Sequence, residues 1–184
     1  MSNEQELIQQ LKQRQSKDVA FRKLMGLYKE RLYWHIRKLV LIHEDTDDVL
    51  QNTFIKVYRN IENFNEKSKL YTWLYRIASN EAIDHLKKKA KLKFQDISEY
   101  QTAVLSSSQE DNLYDGDRIQ TLLHKAIATL PEKQQLVFNM KYFDDMKYQE
   151  ISDILDTSVG ALKSSYFHAV KKIEVFVNNN QLNE

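Results

Sequence analysis

The chain has 184 residues, 42% of them hydrophobic, enough for one or two small domains with real cores, and no cysteine, which excludes disulfides, thiolate zinc sites and a cysteine nucleophile. Only three glycines and one proline occur, too few for a sheet with tight hairpins, so the expected fold is all-α. The net charge of +1 hides an asymmetry: residues 1–93 hold 19 Lys/Arg and 12 Asp/Glu, residues 94–117 hold six acids and no base, and residues 118–184 hold eight of each.

A basic half, an acidic strip and a neutral half point to separate units with separate tasks. The polar start, MSNEQELIQQ, lacks a signal-peptide apolar segment, and no apolar run is long enough to cross a membrane. A cytoplasmic protein without membrane insertion is therefore expected. Residues 1–18 form a Gln-rich lead, helical but weakly anchored. From Val19 to about Ile42 a helical pattern places Phe21, Leu24, Leu32, Ile36 and Leu39 on one side, with Gly26 weakening it locally. The acidic stretch His43–Asp48 interrupts it, and Asp45 or Thr46 can cap a helix over 46–61 that buries Leu50, Phe54, Val57 and Ile61.

A polar loop, Asn63 to Lys69, carries one aromatic, Phe64, and leads into a helix with Tyr71, Trp73 and Tyr75 in its first turns. Trp73, Leu74, Ile77 and Ala78 share one side and read most simply as core. Arg76, Asn80, Asp84 and Lys87 share another, and Lys87, Lys88 and Lys89 close the helix. Exposed rings beside cations suit single-stranded nucleic acid, since stacking is worth roughly 1–3 kcal/mol per base and lysines track phosphates. The same residues also fit an ordinary amphipathic helix with a dipole-serving last turn.

Residues 91–117 lose periodicity and read as an acidic, flexible linker with room for one short helix, most simply a solvated spacer. A second unit begins near residue 118. One helix ends at Leu130–Pro131, and another runs to about Phe143. Tyr148–Leu155, the turn Asp156-Thr157-Ser158 and a helix from Val159 to about Val177 have the layout of a helix-turn-helix, with Ser158 as cap. The outward face of the longer helix carries Gly160, Lys163, Ser164, Phe167, His168 and Lys171. That face is suited to a major groove or, alternatively, is a solvated face of a helical hairpin.

Two stretches, DTDDVLQNTFIKVYRNIENF followed by YTWLYRIASNEAIDHLKKK, resemble region two of bacterial sigma factors of the extracytoplasmic-function (ECF) group, in the sigma-70 family. ATLPEKQQLVFNMKYFDDMKYQEISDILDTSVGALKSS resembles their region four. The resemblance implies a non-enzymatic promoter-recognition subunit without a cofactor. Its parts would be a region-two-like domain at 19–90, a linker at 91–117, a region-four-like domain at 118–177 and a tail at 178–184. It implies polymerase binding by Asp47, Asp48, Gln51, Asn52 and Phe54, the last with a second reading as core. Minus-ten DNA falls to Phe64, Asn65, Lys67 and Ser68 of a base-capturing loop and to Tyr71, Tyr75, Arg76, Asn80, Lys87, Lys88 and Lys89. Trp73 lies in the same segment, more simply as its packing anchor. Minus-thirty-five DNA falls to Ser158, Gly160, Lys163, Ser164, Phe167, His168 and Lys171. Implied partners are core RNA polymerase and promoter DNA, as duplex and as non-template single strand. An anti-sigma factor is common in the family, though no residue here proves one.

The chain departs from the family at Gln135, Ser165 and His168, where arginine is usual or frequent, and at Ser152 and Asp156, where a small residue is usual. Fewer arginines thin the phosphate contacts and the guanine-reading groups. Two rivals use other residues. A stand-alone helix-turn-helix regulator leaves the basic aromatic unit unexplained. A carboxylate enzyme would draw on Asp45, Asp47 and Asp48 or on Glu81 and His85. Its five histidines are dispersed at 35, 43, 85, 124 and 168, and no phosphate loop or nucleophile elbow appears.

Overall fold

The computed structural model describes residues 3–93, 96–107 and 118–181. Among them every regular element is helical: α1 (Asn3–Lys12), α2 (Lys17–Val40), α3 (His43–Asn60), a 3-10 turn (Ile61–Asn63), α4 (Leu70–Lys93), α5 (Ile97–Ser107), α6 (Arg118–Ala128), α7 (Glu132–Tyr142), α8 (Tyr148–Leu155) and α9 (Val159–Gln181).

The first unit packs α2, α3 and α4 on one another, with α1 across α2. Leu24, Leu32, Ile36 and Leu39 of α2 meet Val49, Leu50 and Val57 of α3 and Leu74, Ala78, Ala82 and Leu86 of α4. Each such side chain contributes about 1.5–3 kcal/mol by leaving water. Helix α2 stops at Leu41, which turns left-handed (φ 70°) and donates its N–H to Arg37 O at 3.0 Å. The break is only two residues long. Helix α3 starts at His43, so Glu44 and Asp45 lie inside its first turn, and Thr46 Oγ1 donates to the Ile42 carbonyl at 2.7 Å instead of capping.

Two sequence expectations need correction. The N-terminal lead is anchored, because Leu7, Ile8 and Leu11 of α1 are buried in the core of the first unit. The described part of the acidic strip is not a solvated spacer either. Helix α5 lies on α4, burying Tyr100 and Gln101, and Gln101 Nε2 donates to the Leu39 carbonyl. The rest of that strip, 94–95 and 108–117, lies outside the described residues, as do 182–184 of the tail.

In the second unit Ala126, Ile127, Leu130, Phe138, Ala169 and Ile173 form a core of α6, α7 and α9. Helix α8 opens with the Lys147 N–H donating to Glu150 Oε2 at 2.9 Å and ends at Asp156, left-handed at φ 51°. A short polar side chain tolerates that conformation. Ser158 Oγ accepts the Ala161 N–H at 3.3 Å at the head of α9. The units are not spatially independent: the core of the first runs on into Leu136, Val137, Met140, Met146, Ile151 and Ile154 of α7, α8 and their connection.

Candidate polymerase and nucleic-acid interface

A groove of about 500 Å³ separates α2 from α3. Its walls are Phe21, Met25, Leu50, Phe54, Ile55 and Tyr58, with Asp47, Gln51, Lys29 and Arg59 at the edges. Phe21 holds the ring of Phe54 edge-on at 6.1 Å and that of Tyr58 at 5.0 Å. Asp47, Asp48, Gln51 and Asn52 are exposed along α3, whereas Phe54 is buried, as its core reading expects, and forms the floor of the groove. Ile55, 39% exposed on the same face, belongs to this surface although the resemblance did not single it out. Its signal was an apolar residue on the polar side of the α3 periodicity.

At the other end of α3, the segment from Ile61 to Leu70 is tied to α1 and to the first residue of α2. Lys12 Nζ meets Glu66 Oε1 at 2.7 Å, Lys17 Nζ meets Glu62 Oε1 at 2.7 Å, and Glu4 Oε1 accepts the Leu70 N–H at 3.2 Å. The last of these satisfies one of the free donors at the head of α4. Asn65 and Lys67 are exposed and Ser68 is half-buried; Asn65 Oδ1 accepts the Lys67 N–H at 3.2 Å. Phe64 differs from the expectation for a base-contacting ring. It is 3% exposed, lies 5.2 Å from the Trp73 ring, and has Lys12 Nζ 5.9 Å from its centroid. A ring of that size gains more from the core than from water, so it floors the loop.

Along α4, Asn80, Lys87 and Lys88 are exposed. Lys89 meets Asp45 Oδ1 at 3.1 Å, which raises its pKa, and Lys87 meets Glu132 Oε1 at 3.6 Å. Of the carboxylates and histidine weighed for catalysis, Glu81 pairs with Lys56, Asp47 lies 3.6 Å from His43, and His85 lies 3.2 Å from Asp45. Tyr71, Tyr75 and Arg76 face the second unit. Burial, then the nearby Asp144 charge, pushes the Tyr75 phenol up to about 12. Burial and Glu150 raise Tyr71 in the same way. Arg76 Nε donates to Ile154 O at 3.1 Å, and its guanidinium also donates to Asp153 O, both at the carbonyl end of α8.

On α9 the residues Gly160, Lys163, Ser164, Phe167, His168 and Lys171 are all exposed, as is Ser158 before it. Lys171 Nζ stands 5.0 Å from the centroid of the Phe167 ring, and Lys163 Nζ stands 5.9 Å from that of Tyr148. The turn before α9 and the loop after α3 line one cleft of about 620 Å³, with Asn65, Lys67 and Arg76 on one side and Asp153, Thr157 and Ser158 on the other.

Fold and site define a two-unit, all-helical protein whose second unit is a helix-turn-helix. Residues 24–92 match the family Sigma-70 region 2, and residues 120–173 match Sigma-70, region 4. The ECF RNA polymerase sigma factor SigW of Bacillus subtilis (strain 168) is 31% identical over 153 residues, spanning 79% of this chain and 82% of that protein. The ECF RNA polymerase sigma-E factor of Haemophilus influenzae (strain ATCC 51907 / DSM 11121 / KW20 / Rd) is 29% identical over 179 residues, 93% of each chain. Among solved structures, CnrH in complex with the cytosolic domain of CnrY has a TM-score of 0.70 at 18% identity, covering 97% of this chain and 99% of that one. The sigma factor RpoE in complex with the anti-sigma factor NepR, from Bartonella quintana, has a TM-score of 0.64 at 19% identity, covering 86% and 96%. These structural likenesses speak to the fold. The chain belongs to the ECF group of RNA polymerase sigma factors, within the sigma-70 family.

Proposed function

We propose that this chain is a non-enzymatic initiation subunit that docks on core RNA polymerase in the cytoplasm and directs it to promoters. The groove between α2 and α3, with Asp47, Asp48, Gln51, Asn52 and Ile55 around its Phe54 floor, takes an apolar helical element of polymerase. Asn65, Lys67 and Ser68 receive a base of the minus-ten non-template strand. Tyr71, Tyr75, Arg76 and Asn80 hold the opened strand, and Lys87, Lys88 and Lys89 hold the duplex upstream. Flipping a base costs a few kcal/mol, which pocket contacts must return. Ser158, Gly160, Lys163, Ser164, Phe167, His168 and Lys171 read the minus-thirty-five element. Residues 19–90 and 118–177 are the two working domains.

The observation that carries this reading is the order of the two matches, region two then region four, along one chain. Each unit alone offers few phosphate contacts, so specific affinity emerges when polymerase holds both and the second contact becomes intramolecular. The RpoE of Bartonella quintana is bound to the anti-sigma factor NepR, which supports an anti-sigma partner here as well.

The test is co-elution of the purified chain with core RNA polymerase, beside Asp48→Arg and Gln51→Ala. Co-elution that the variants lose supports the reading. Failure to bind core, with duplex binding retained, rejects it.

A further inference from the structure

At the seam where α2 and α4 meet the connection from α7 to α8 lies a cavity of about 700 Å³, within the size range of small-molecule sites. It shares no lining residue with the α2–α3 groove or with the exposed face of α9, so neither polymerase docking nor duplex reading accounts for it.

Four rings shape this cavity. Tyr28 and Trp34 come from α2, six residues apart and so about 9 Å along its axis at about 1.5 Å per residue. Tyr71 and Tyr75 come from successive turns of α4, with centroids 5.8 Å apart and planes at 74°. Trp34 is 53% exposed, which leaves its indole open to a ligand.

Carboxylates stand on two sides of the rings. Glu30 is exposed on α2, while Asp145 and Glu150 come from the connection and from the first turn of α8. Asp145 has only a loose approach of Lys141, at 3.8 Å. Asp144 beside it is already held, with Oδ2 2.9 Å from His35 Nδ1 and Oδ1 2.5 Å from Lys38 Nζ. Arg31 is the single cation among the lining residues. The rings feel this field: after burial, the Asp144 charge raises the Tyr75 phenol, and Glu150 does the same to Tyr71. The Tyr71 hydroxyl is buried without a hydrogen-bond partner among the described residues, which leaves it open to a donor.

Rings beside carboxylates select an organic cation, since a ring face attracts positive charge within about 6 Å of its centroid. A phosphate-bearing ligand is repelled. A bare divalent metal needs several oxygens converging on one point, and no group of three such ligands exists among the described residues. A compact monocation would satisfy the carboxylates of one side only. A ligand charged at both ends, with methylenes against the rings, satisfies both.

We propose that this cavity is a binding site for a linear aliphatic polyamine. Glu30 holds one ammonium end, Asp145 and Glu150 hold the other, and Tyr28, Trp34 and Tyr75 flank the methylenes between. The site shares Tyr71 and Tyr75 with the strand-holding role proposed above but does not depend on that role.

Isothermal titration calorimetry of the full chain with spermidine, at about 0.15 M salt, tests this. The unaltered chain should show one saturable site. Glu150→Gln keeps an acceptor for the Lys147 N–H at the head of α8, and its affinity should fall about tenfold. Glu30→Gln should lose a similar factor, and Trp34→Ala about threefold. Glu174→Gln, at an exposed carboxylate on α9, should bind as the unaltered chain does. Magnesium at equal concentration should not displace spermidine. Circular dichroism shows which variants keep their helices, and the unaltered chain is decisive even where one does not. Absence of saturable binding, displacement by equimolar magnesium, or an equal loss in Glu174→Gln and Glu150→Gln overturns the site.

Discussion

The His124 imidazole on α6 lies flat against the Phe143 ring, with centroids 5.8 Å apart and planes within 4° of each other. Burial, followed by the positive charges of Arg37 and Lys38 across the seam, lowers its pKa from 6.5 to about 4. The folded state therefore refuses a proton that the unfolded chain accepts. Stability is unaffected by this group above about pH 6.5, falls as pH drops toward about 4, and loses no more below that. The full cost is about 3 kcal/mol, at up to about 1.4 kcal/mol per pH unit. Urea unfolding at pH 7.5, 6, 5 and 4.5 should show that slope, and His124→Gln should flatten it. An unchanged slope in His124→Gln assigns the acid sensitivity elsewhere. Asp144 acts lower: its depressed carboxyl contributes above the ordinary carboxylate range, and its contribution is lost as pH falls through its folded pKa, below 3.8.

Gly26 sits inside α2 with open space where a side chain would be, since nothing lies within 4 Å of an added Cβ. Its φ is not positive, so alanine fits without strain. Gly26→Ala should stabilise the chain by about 0.5–1 kcal/mol, raising Tm by about 1–4 °C. Thermal unfolding followed by circular dichroism reads this directly, and a lowered Tm would mean that α2 needs its weak point.

The helix-turn-helix was legible because its evidence is local: apolar spacing on α8 and α9, a polar turn, and Ser158 as cap. The stripes of α2 and α3 were legible for the same reason, although α3 begins three residues earlier than its capping residues suggested. What escaped was every contact that depends on distant chain. Helix α1 reads as Gln-rich and polar, and its Leu7, Ile8 and Leu11 gain meaning only when α2 crosses them. Gln101 looks like linker but meets a backbone carbonyl 62 residues away. The partners His35 and Asp144 are 109 residues apart, and no periodicity links them. Phe64 was misread in one respect: a lone aromatic in a polar loop suggests exposure, yet Trp73 and Lys12 enclose it.

Lys163 and Lys171 project from the exposed face of α9, each within 6 Å of an aromatic centroid that limits its swing. If each neutralises one phosphate, Lys163→Ala and Lys171→Ala should each reduce the slope of log affinity against log salt by about 0.9. The measurement is titration of the polymerase-bound chain onto a promoter duplex at several salt concentrations. Weaker binding with an unchanged slope would move that lysine off the phosphates.

Phe64 and Asn65 are neighbours with opposite expected phenotypes. Phe64 is buried against Trp73, so Phe64→Ala leaves a cavity and should cost about 3–5 kcal/mol of stability, measured by urea unfolding. Asn65 is exposed, and among the described residues its side chain makes only a local bond, accepting the Lys67 N–H, so Asn65→Ala should change stability by no more than about 0.5 kcal/mol. Promoter opening, read from the fluorescence of 2-aminopurine placed in the minus-ten strand, should nevertheless fall in Asn65→Ala while polymerase binding stays intact. The reason is that a flipped base needs polar pocket groups to return the cost of unstacking. Equal opening by Asn65→Ala and the unaltered chain would remove Asn65 from the pocket. A stable Phe64→Ala with defective opening would return Phe64 from the loop floor to the DNA.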